Sequence, residues 1–165
     1  MMAHPELVLA IHPTSRGFGW ALFDGPDALD DWGLAYVRGN KVASCRRRLA
    51  LLLERHRPDR VVLERSALPP SGRGSRRADL LRAATELAEE LRVRVKAYGR
   101  PEVRLGLQLA PDATREDVAQ AVAARLPEIA HMLPPKRRAW DSLDRRLALF
   151  SAAAIALAHF SRRPM

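Results

Sequence analysis

The chain has a single cysteine, Cys45, and no apolar run long enough to cross a membrane. One cysteine excludes a disulfide framework and a cluster of thiolate metal ligands. The longest apolar run, residues 147–160, is shorter than the roughly 20 residues that a membrane span needs. The first residues lack the basic region and the apolar stretch of a signal peptide. We therefore expect a soluble cytoplasmic protein, with Cys45 as a small residue of a helix.

Acidic residues are few relative to basic ones: 19 Asp and Glu stand against 28 Lys and Arg, and the formal net charge is +9. This balance favours a polyanionic partner, because each Lys or Arg that neutralises a phosphate releases condensed counterions. A genome rich in arginine codons would also produce an arginine-rich surface, so charge alone leaves that explanation open. We take nucleic acid as the favoured partner.

The length of 165 residues fits one domain. A chain of about 150 residues buries roughly two-thirds of the surface that its unfolded form exposes, which is enough for a hydrophobic core. The sequence contains no internal repeat and no linker long enough to divide it. We expect a single domain over residues 1–165.

The segment from Leu7 to Phe23 predicts a hairpin. Leu7 to Ile11 is a continuous apolar run, typical of a strand that is buried on both faces. Residues 13–16 interrupt it, and from Gly17 the chain resumes an extended pattern, so the two halves pair around a short polar tip. His12 then lies at the end of the first strand.

The rest of the chain alternates between strand and helix patterns. In order, we predict a strand at 32–38, a helix capped by Ser44, a strand at 60–64, a helix at 76–91, a strand at 93–98, a helix capped by Thr114 with Asp117, and a last helix capped by Asp141 or Ser142.

Four collinear motifs resemble the RuvC family of Holliday-junction resolvases, of the ribonuclease H-like superfamily. IHPTSRGFGWALF resembles the family's first hairpin, IDPGSRxTGYGVI, without a gap. RPDRVVLER is similar to PDxxAIEQ, and LFSAAAIALAH is similar to ADALAIAITH. VKAYGRPEVRLGLQLAPDATREDVAQAV is similar to VxEYAPxxVKxxVxGxGxAxKxQVxxMV, with Arg104 and Arg115 where lysines are usual. The resemblance implies an α/β ribonuclease H-like fold, a five-stranded mixed central sheet of three antiparallel and then parallel strands, flanked by helices.

The resemblance also implies a metal-dependent endodeoxyribonuclease that acts as a homodimer on branched DNA in recombination. Cleavage in this superfamily uses two divalent cations held by carboxylates. The family's four carboxylate positions fall on His12, Glu64, Ala148 and Ser151, and only Glu64 is an acid. Imidazole, methyl and hydroxyl groups cannot neutralise two Mg²⁺ ions. The sequence therefore predicts a pseudoenzyme with little or no cleavage activity, which still binds DNA.

An altered ligand set is the alternative. His12 and Glu64 could hold Mn²⁺ or Mg²⁺ in an active endonuclease, since softer first-row metals accept imidazole. Asp144 could supply a further acid, but it precedes Ser151 by seven residues, about 10 Å along a helix axis. A helix N-terminus favours a negative charge, so Asp144 is better interpreted as a helix-terminal acid.

Basic residues recur in the segments expected near this site. Loops at the carboxyl ends of strands commonly bind ligands in such folds, and guanidinium groups bind phosphates in bidentate fashion. A solvated charged surface would explain any one of these groups. The predicted nucleic-acid-binding residues are Arg16, Arg73, Arg76, Arg77, Arg104, Arg115, Lys136, Arg137, Arg138 and Trp140. A third hypothesis, a module that binds only proteins, predicts no salt-sensitive DNA binding.

Overall fold

The structure, a computed structural model, describes residues 5–14, 16–37, 41–65, 76–135 and 145–161. Its strands are β1 (Leu7–Thr14), β2 (Gly17–Asp24), β3 (Leu29–Tyr36), β4 (Arg60–Glu64) and β5 (Arg94–Tyr98). Its helices are α1 (Lys41–His56), α2 (Arg76–Glu90), α3 (Arg100–Gly106), α4 (Arg115–Arg125) and α5 (Leu147–Ser161), with a 3₁₀ helix at Pro127–Met132.

The strands form one mixed sheet in the order β3-β2-β1-β4-β5. The first three strands pair antiparallel, and β4 and β5 continue the sheet in parallel with β1. This confirms the predicted five-stranded sheet, in which three antiparallel strands are followed by parallel ones.

Alternate residues of β1 face opposite layers of helices, because successive side chains of a strand point to opposite faces. Val8 and Ala10 belong to the buried cluster that contains residues of α3, α4 and α5. Leu9 and Ile11 belong to the second cluster, with residues of α1 and α2. Both faces of β1 are therefore buried, which explains the unbroken apolar sequence of this strand.

Helix α5 lies in the centre of one layer and packs against β1 and β2. Nearly every residue from Leu147 to His159 is buried, as expected for a helix that is apolar on all sides. Its alanines allow a close approach to the sheet, and β2 contributes Gly19 at the point of contact. No helix in the described part of the chain combines the length and apolarity of a membrane span.

The far end of α5 is tied to the start of the chain through a buried histidine. His159 forms hydrogen bonds with the hydroxyl of Tyr98 through Nδ1 and with Oε1 of Glu6 through Nε2, the second at 2.8 Å. Glu6 also accepts a hydrogen bond from Nε of Arg60 at 3.1 Å. The C-terminal end of α5 is thus connected to β5 through Tyr98 and to β4 through Glu6 and Arg60. Its first turns lie at the other end of the helix.

Four details differ from the sequence predictions. Strand β1 continues through Pro13 to Thr14, because these two residues still pair with Phe18 and Gly17 of β2, so His12 lies within the strand and not at its end. Ser44 lies inside α1, which begins at Lys41, so it is not the N-cap. Strand β3 spans 29–36 instead of 32–38, because its first residue pairs with Phe23 across a register shift. Helix α3 was not predicted, since its seven residues are too few for a repeating apolar pattern. The caps proposed at Asp141 and Ser142 lie outside the described residues.

Replacing Gly19 with alanine is expected to destabilise the protein. A Cβ atom at this position would lie 2.7 Å from the backbone nitrogen of Leu149 and closer still to the carbonyl group of Ala148. Because backbone atoms cannot move aside as side chains can, the free energy of unfolding should fall by about 1–3 kcal/mol or more. Urea denaturation measures this change.

The matched control is Gly99→Ala. A Cβ atom at Gly99 would lie 3.3 Å from the flexible ends of Arg65 and Glu102 and 3.7 Å, an ordinary contact distance, from Cδ of Pro101. Its φ of −74° suits alanine. Its stability should stay within about 1 kcal/mol of wild type. Equal stabilities for the two variants would contradict the close helix–sheet contact.

Candidate functional site

A small cavity lies at the carboxyl ends of β1 and β4. These strands pair in parallel up to Ile11 and Leu63, so the residues that follow, His12 and Glu64, reach the same edge of the sheet. Both lie on the face covered by α5. The volume of the cavity is about 20 Å³, room for one water-sized group. Its lining residues are His12, Glu64, Arg100, Val103, Arg104, Arg115, Val118, Ser151 and Ala154.

Three of the four positions that correspond to family carboxylates line this cavity: His12, Glu64 and Ser151. The fourth, Ala148, does not line it. Ala148 is buried, and its backbone lies against Gly19 of β2. The fold therefore brings together the positions that the resemblance singled out, with one exception.

Glu64 is the one acid of this cavity. Burial raises the pKa of its carboxyl group, and the nearby guanidinium groups of Arg104, Arg100, Arg115 and Arg77 act in the opposite direction. Among the described residues, no ion pair joins Glu64 to any of these arginines within 4.0 Å. The carboxylate is thus surrounded by positive charge without being held by a salt bridge there.

His12 is neutral at ordinary pH. Burial lowers the pKa of its imidazole to about 3, and the positive charges of Arg115 and Arg77 add to this effect. Its Nδ1 atom is buried and has no hydrogen-bond partner within the part of the chain that the structure describes. A buried polar atom of this kind normally has a partner, so it marks a position at which a ligand atom would be stabilised.

Two arginines are built into the wall of the cavity. Arg104 is buried, and its Nε donates a hydrogen bond of 2.8 Å to the carbonyl oxygen of Ala113. Its Nη1 donates to the carbonyl oxygen of Arg100 at 3.4 Å. Burial lowers the pKa of Arg104 and also that of Arg115, the first residue of α4. The capping box of Thr114 and Asp117, predicted from sequence, fixes the start of that helix.

Comparison with known proteins identifies the architecture. No protein-family model matches the sequence, and no curated protein does. The structure of Thermus thermophilus RuvC in complex with a Holliday junction substrate matches with a TM-score of 0.70 at 24% identity, over 94% of this chain and 93% of that one. The chain has the RuvC fold.

Two further resolvases share this fold. The yeast mitochondrial Holliday junction resolvase matches with a TM-score of 0.64 at 12% identity, over 97% of this chain and 80% of that one. The fowlpox virus resolvase in complex with Holliday junction DNA matches with a TM-score of 0.50 at 13% identity, over 89% and 93%. The RuvC fold was therefore predicted correctly from the sequence.

The basic residues predicted from sequence are distributed unevenly around the RuvC fold. Arg104 and Arg115 line the cavity, and the charge of Arg77, in the first turn of α2, acts on His12 and Glu64. Arg16 is exposed at the hairpin tip and is not a lining residue. Outside the described residues lie Arg73, the side chain of Arg76, Lys136, Arg137, Arg138, Trp140 and Asp144.

Arg100 is a cavity residue that the sequence did not single out. It is the first residue of α3, two positions after the end of β5. Its position directly after a strand end was the available signal, but the short helix that carries it was not predicted. The same helix supplies Val103, an apolar part of the wall.

The described residues of the cavity do not fit the metal ions of the RuvC family. Two Mg²⁺ ions need several carboxylates and an overall negative environment, whereas here one carboxylate faces four guanidinium groups. No group of three or more His, Cys, Asp or Glu in the described ranges could hold a metal ion. The metal site predicted from Glu64, His12 and Asp144 stays a hypothesis, since Asp144 lies outside those ranges.

Acidification is predicted to destabilise the protein through His12. The unfolded chain takes up this proton near the ordinary pKa of 6.5, whereas the folded chain does so near 3. The stabilisation is therefore complete above pH 6.5 and is lost as the pH falls towards 3, by at most about 5 kcal/mol for a separation of about 3.5 pH units.

Urea denaturation of wild type and His12→Asn between about pH 4 and about pH 8 measures this effect. The variant should lose less stability on acidification than wild type does. Glu64, whose raised pKa acts in the opposite sense, is present in both proteins and so cancels. Parallel stability profiles would contradict the burial of a neutral imidazole.

Proposed function

We propose that this chain is a RuvC-like nucleic-acid-binding protein that binds DNA, including branched DNA, with little or no cleavage activity. The observation that carries the proposal is the charge of the cavity at the carboxyl ends of β1 and β4. Where the family's carboxylates would be, Glu64 is the one acid, and His12 and Ser151 occupy two of the other positions. Arginines surround them, so the chemistry favours a bound anion over a bound cation.

Binding to DNA is supported by two kinds of observation. Two proteins of similar fold, from Thermus thermophilus and fowlpox virus, are described in complex with Holliday junction substrates. The net charge of +9 favours a polyanion. We extend the proposal to a homodimer, as the resemblance to the resolvases implies.

An active endonuclease with an altered ligand set is the second candidate. It is favoured by the position of His12, Glu64 and Ser151 around one cavity, because a nitrogen and two oxygens could bind Mn²⁺ or Mg²⁺. The positive charge of the arginines opposes it.

The wild-type protein is expected to bind a labelled four-way junction without cleaving it. Affinity should fall steeply as salt rises, since the logarithm of the binding constant decreases by about 0.9 per neutralised phosphate for each unit of log salt. Fluorescence anisotropy measures binding, and a cleavage assay with Mg²⁺ or Mn²⁺ on branched and single-stranded DNA measures activity.

The cleavage assay has Glu64→Gln as its control. Products that form with wild type and not with Glu64→Gln would overturn the proposal in favour of the endonuclease. Undetectable or salt-insensitive binding would instead favour a protein-interaction module.

Restoring acids is expected to create metal binding. His12→Asp with Ser151→Asp, made together with Arg100→Gln and Arg115→Gln, would set three carboxylates, including Glu64, against the two remaining guanidinium groups of Arg77 and Arg104. This environment is negative overall, and its ligand set suits Mn²⁺ or Mg²⁺. Calorimetric titration with Mn²⁺ should give saturable binding for this variant. His12→Asn with Ser151→Asn in the same Arg100→Gln and Arg115→Gln background has a similar shape without the added charges and should bind none. Equal binding by both variants would contradict the electrostatic argument.

A further inference from the structure

Four arginines from three helices converge on the cavity, and we name them the arginine cluster: Arg77 of α2, Arg100 and Arg104 of α3, and Arg115 of α4. Three of them line the cavity, and the charge of Arg77 acts on Arg115, His12 and Glu64. With Glu64 ionised, the four guanidinium groups and this carboxylate carry a formal charge of +3, and Glu116, whose charge also acts on Arg115, reduces it to +2. Such a concentration of like charge is unfavourable unless an anion offsets it.

Within the described ranges, three of the four members of the arginine cluster lack the partners that other arginines have, Arg104 being the exception. Among the described residues, the guanidinium groups of Arg77, Arg100 and Arg115 form no ion pair and no hydrogen bond. Other arginines do form ion pairs. Arg46 contacts Glu86 and Glu90 at 3.1 Å each. Arg60 contacts Glu6 at 3.1 Å, and Arg65 pairs with Glu102. The donors at the cavity therefore remain available to a ligand.

The cavity also offers neutral polar groups to an anion. His12 has a buried Nδ1 atom without a partner in the described part of the chain, and Ser151 contributes a hydroxyl-bearing side chain to the lining. A volume of about 20 Å³ admits one oxygen-sized group. Guanidinium forks bind phosphate oxygens in bidentate fashion, so the donor set suits a phosphate group whose oxygen enters the cavity.

We propose that the arginine cluster binds one backbone phosphate of nucleic acid directly, without a metal ion, with a phosphate oxygen in the cavity beside His12. The inference rests on the proposed function and adds to it a defined site, a ligand group and Arg100 as a binding residue. Arg104 positions the site, since its side chain is bonded to the backbone at Ala113 and Arg100. Arg100 and Arg115 supply guanidinium groups that have no partner among the described residues.

The first test compares two double variants, each of which removes two arginines, one pair from the arginine cluster and one pair from outside it. Arg115→Gln, combined with Arg100→Gln, removes two free donors of the cluster. Arg125→Gln combined with Arg94→Gln removes two exposed arginines instead, and Arg125 lies about 15 Å along α4 from Arg115. Thermal unfolding checks that both double variants fold.

Binding of a labelled duplex in EDTA is then measured against salt. The cluster variant should lose at least about tenfold in affinity, and its salt dependence should correspond to about one phosphate contact fewer. The control variant should keep the wild-type salt dependence. If wild type binds DNA and the two double variants behave alike, the inference is overturned and the proposed function stands.

A second test uses inorganic phosphate alone and does not depend on DNA binding. Titration of phosphate into wild type, followed by NMR of the His12 imidazole, should give a saturable shift that the cluster variant lacks. No shift in wild type overturns the phosphate site. If wild type binds phosphate saturably but no nucleic acid, the proposed function fails and the site is one for a free phosphate instead.

Discussion

The buried packing of α5 against the sheet is the constraint on which the site depends. This helix approaches β2 so closely that a glycine is needed at position 19, and its far end is fixed through His159 to Tyr98 and Glu6. The two contacts determine where Ser151 lies relative to His12 and Glu64. The carboxyl ends of β1 and β4, the first half of α5, and helices α3 and α4 together line the cavity.

The side chains at this cavity carry mostly positive charge, whereas the side chains of a two-metal nuclease site carry mostly negative charge. A metal site gathers carboxylates and lowers their pKa values through the cations, whereas burial here raises the pKa of Glu64 and keeps His12 neutral. Positive charge comes from the protein itself, through Arg104 and Arg115. In the proposed phosphate site, these arginines supply the positive charge that metal ions supply in a two-metal nuclease.

The sequence predicted the strands well because their apolar runs are buried on both faces, as from Leu7 to Ile11. It correctly placed Glu64 at the end of β4, but it ended β1 at His12, whereas that strand runs on to Thr14. The parallel register of β1 and β4 still brings His12 and Glu64 to the same end of the sheet. The sequence did not predict α3, because its seven residues are too few for a repeating apolar pattern, and Arg100 was therefore missed. The position of Ala148 against Gly19 and the shifted pKa values of His12 and Glu64 depend on tertiary packing, which a local sequence pattern cannot predict.

The central claim is that this chain needs no metal ion to bind a phosphate backbone. The most direct measurement is the affinity of the wild-type protein for a short DNA duplex at matched ionic strength, in EDTA and then with Mg²⁺ or Mn²⁺. Our account predicts equal affinities within about twofold, because arginines and not cations contact the phosphate. A gain of tenfold or more with Mn²⁺ (~1.4 kcal/mol) that disappears in Glu64→Gln would contradict it and would point to a working metal site.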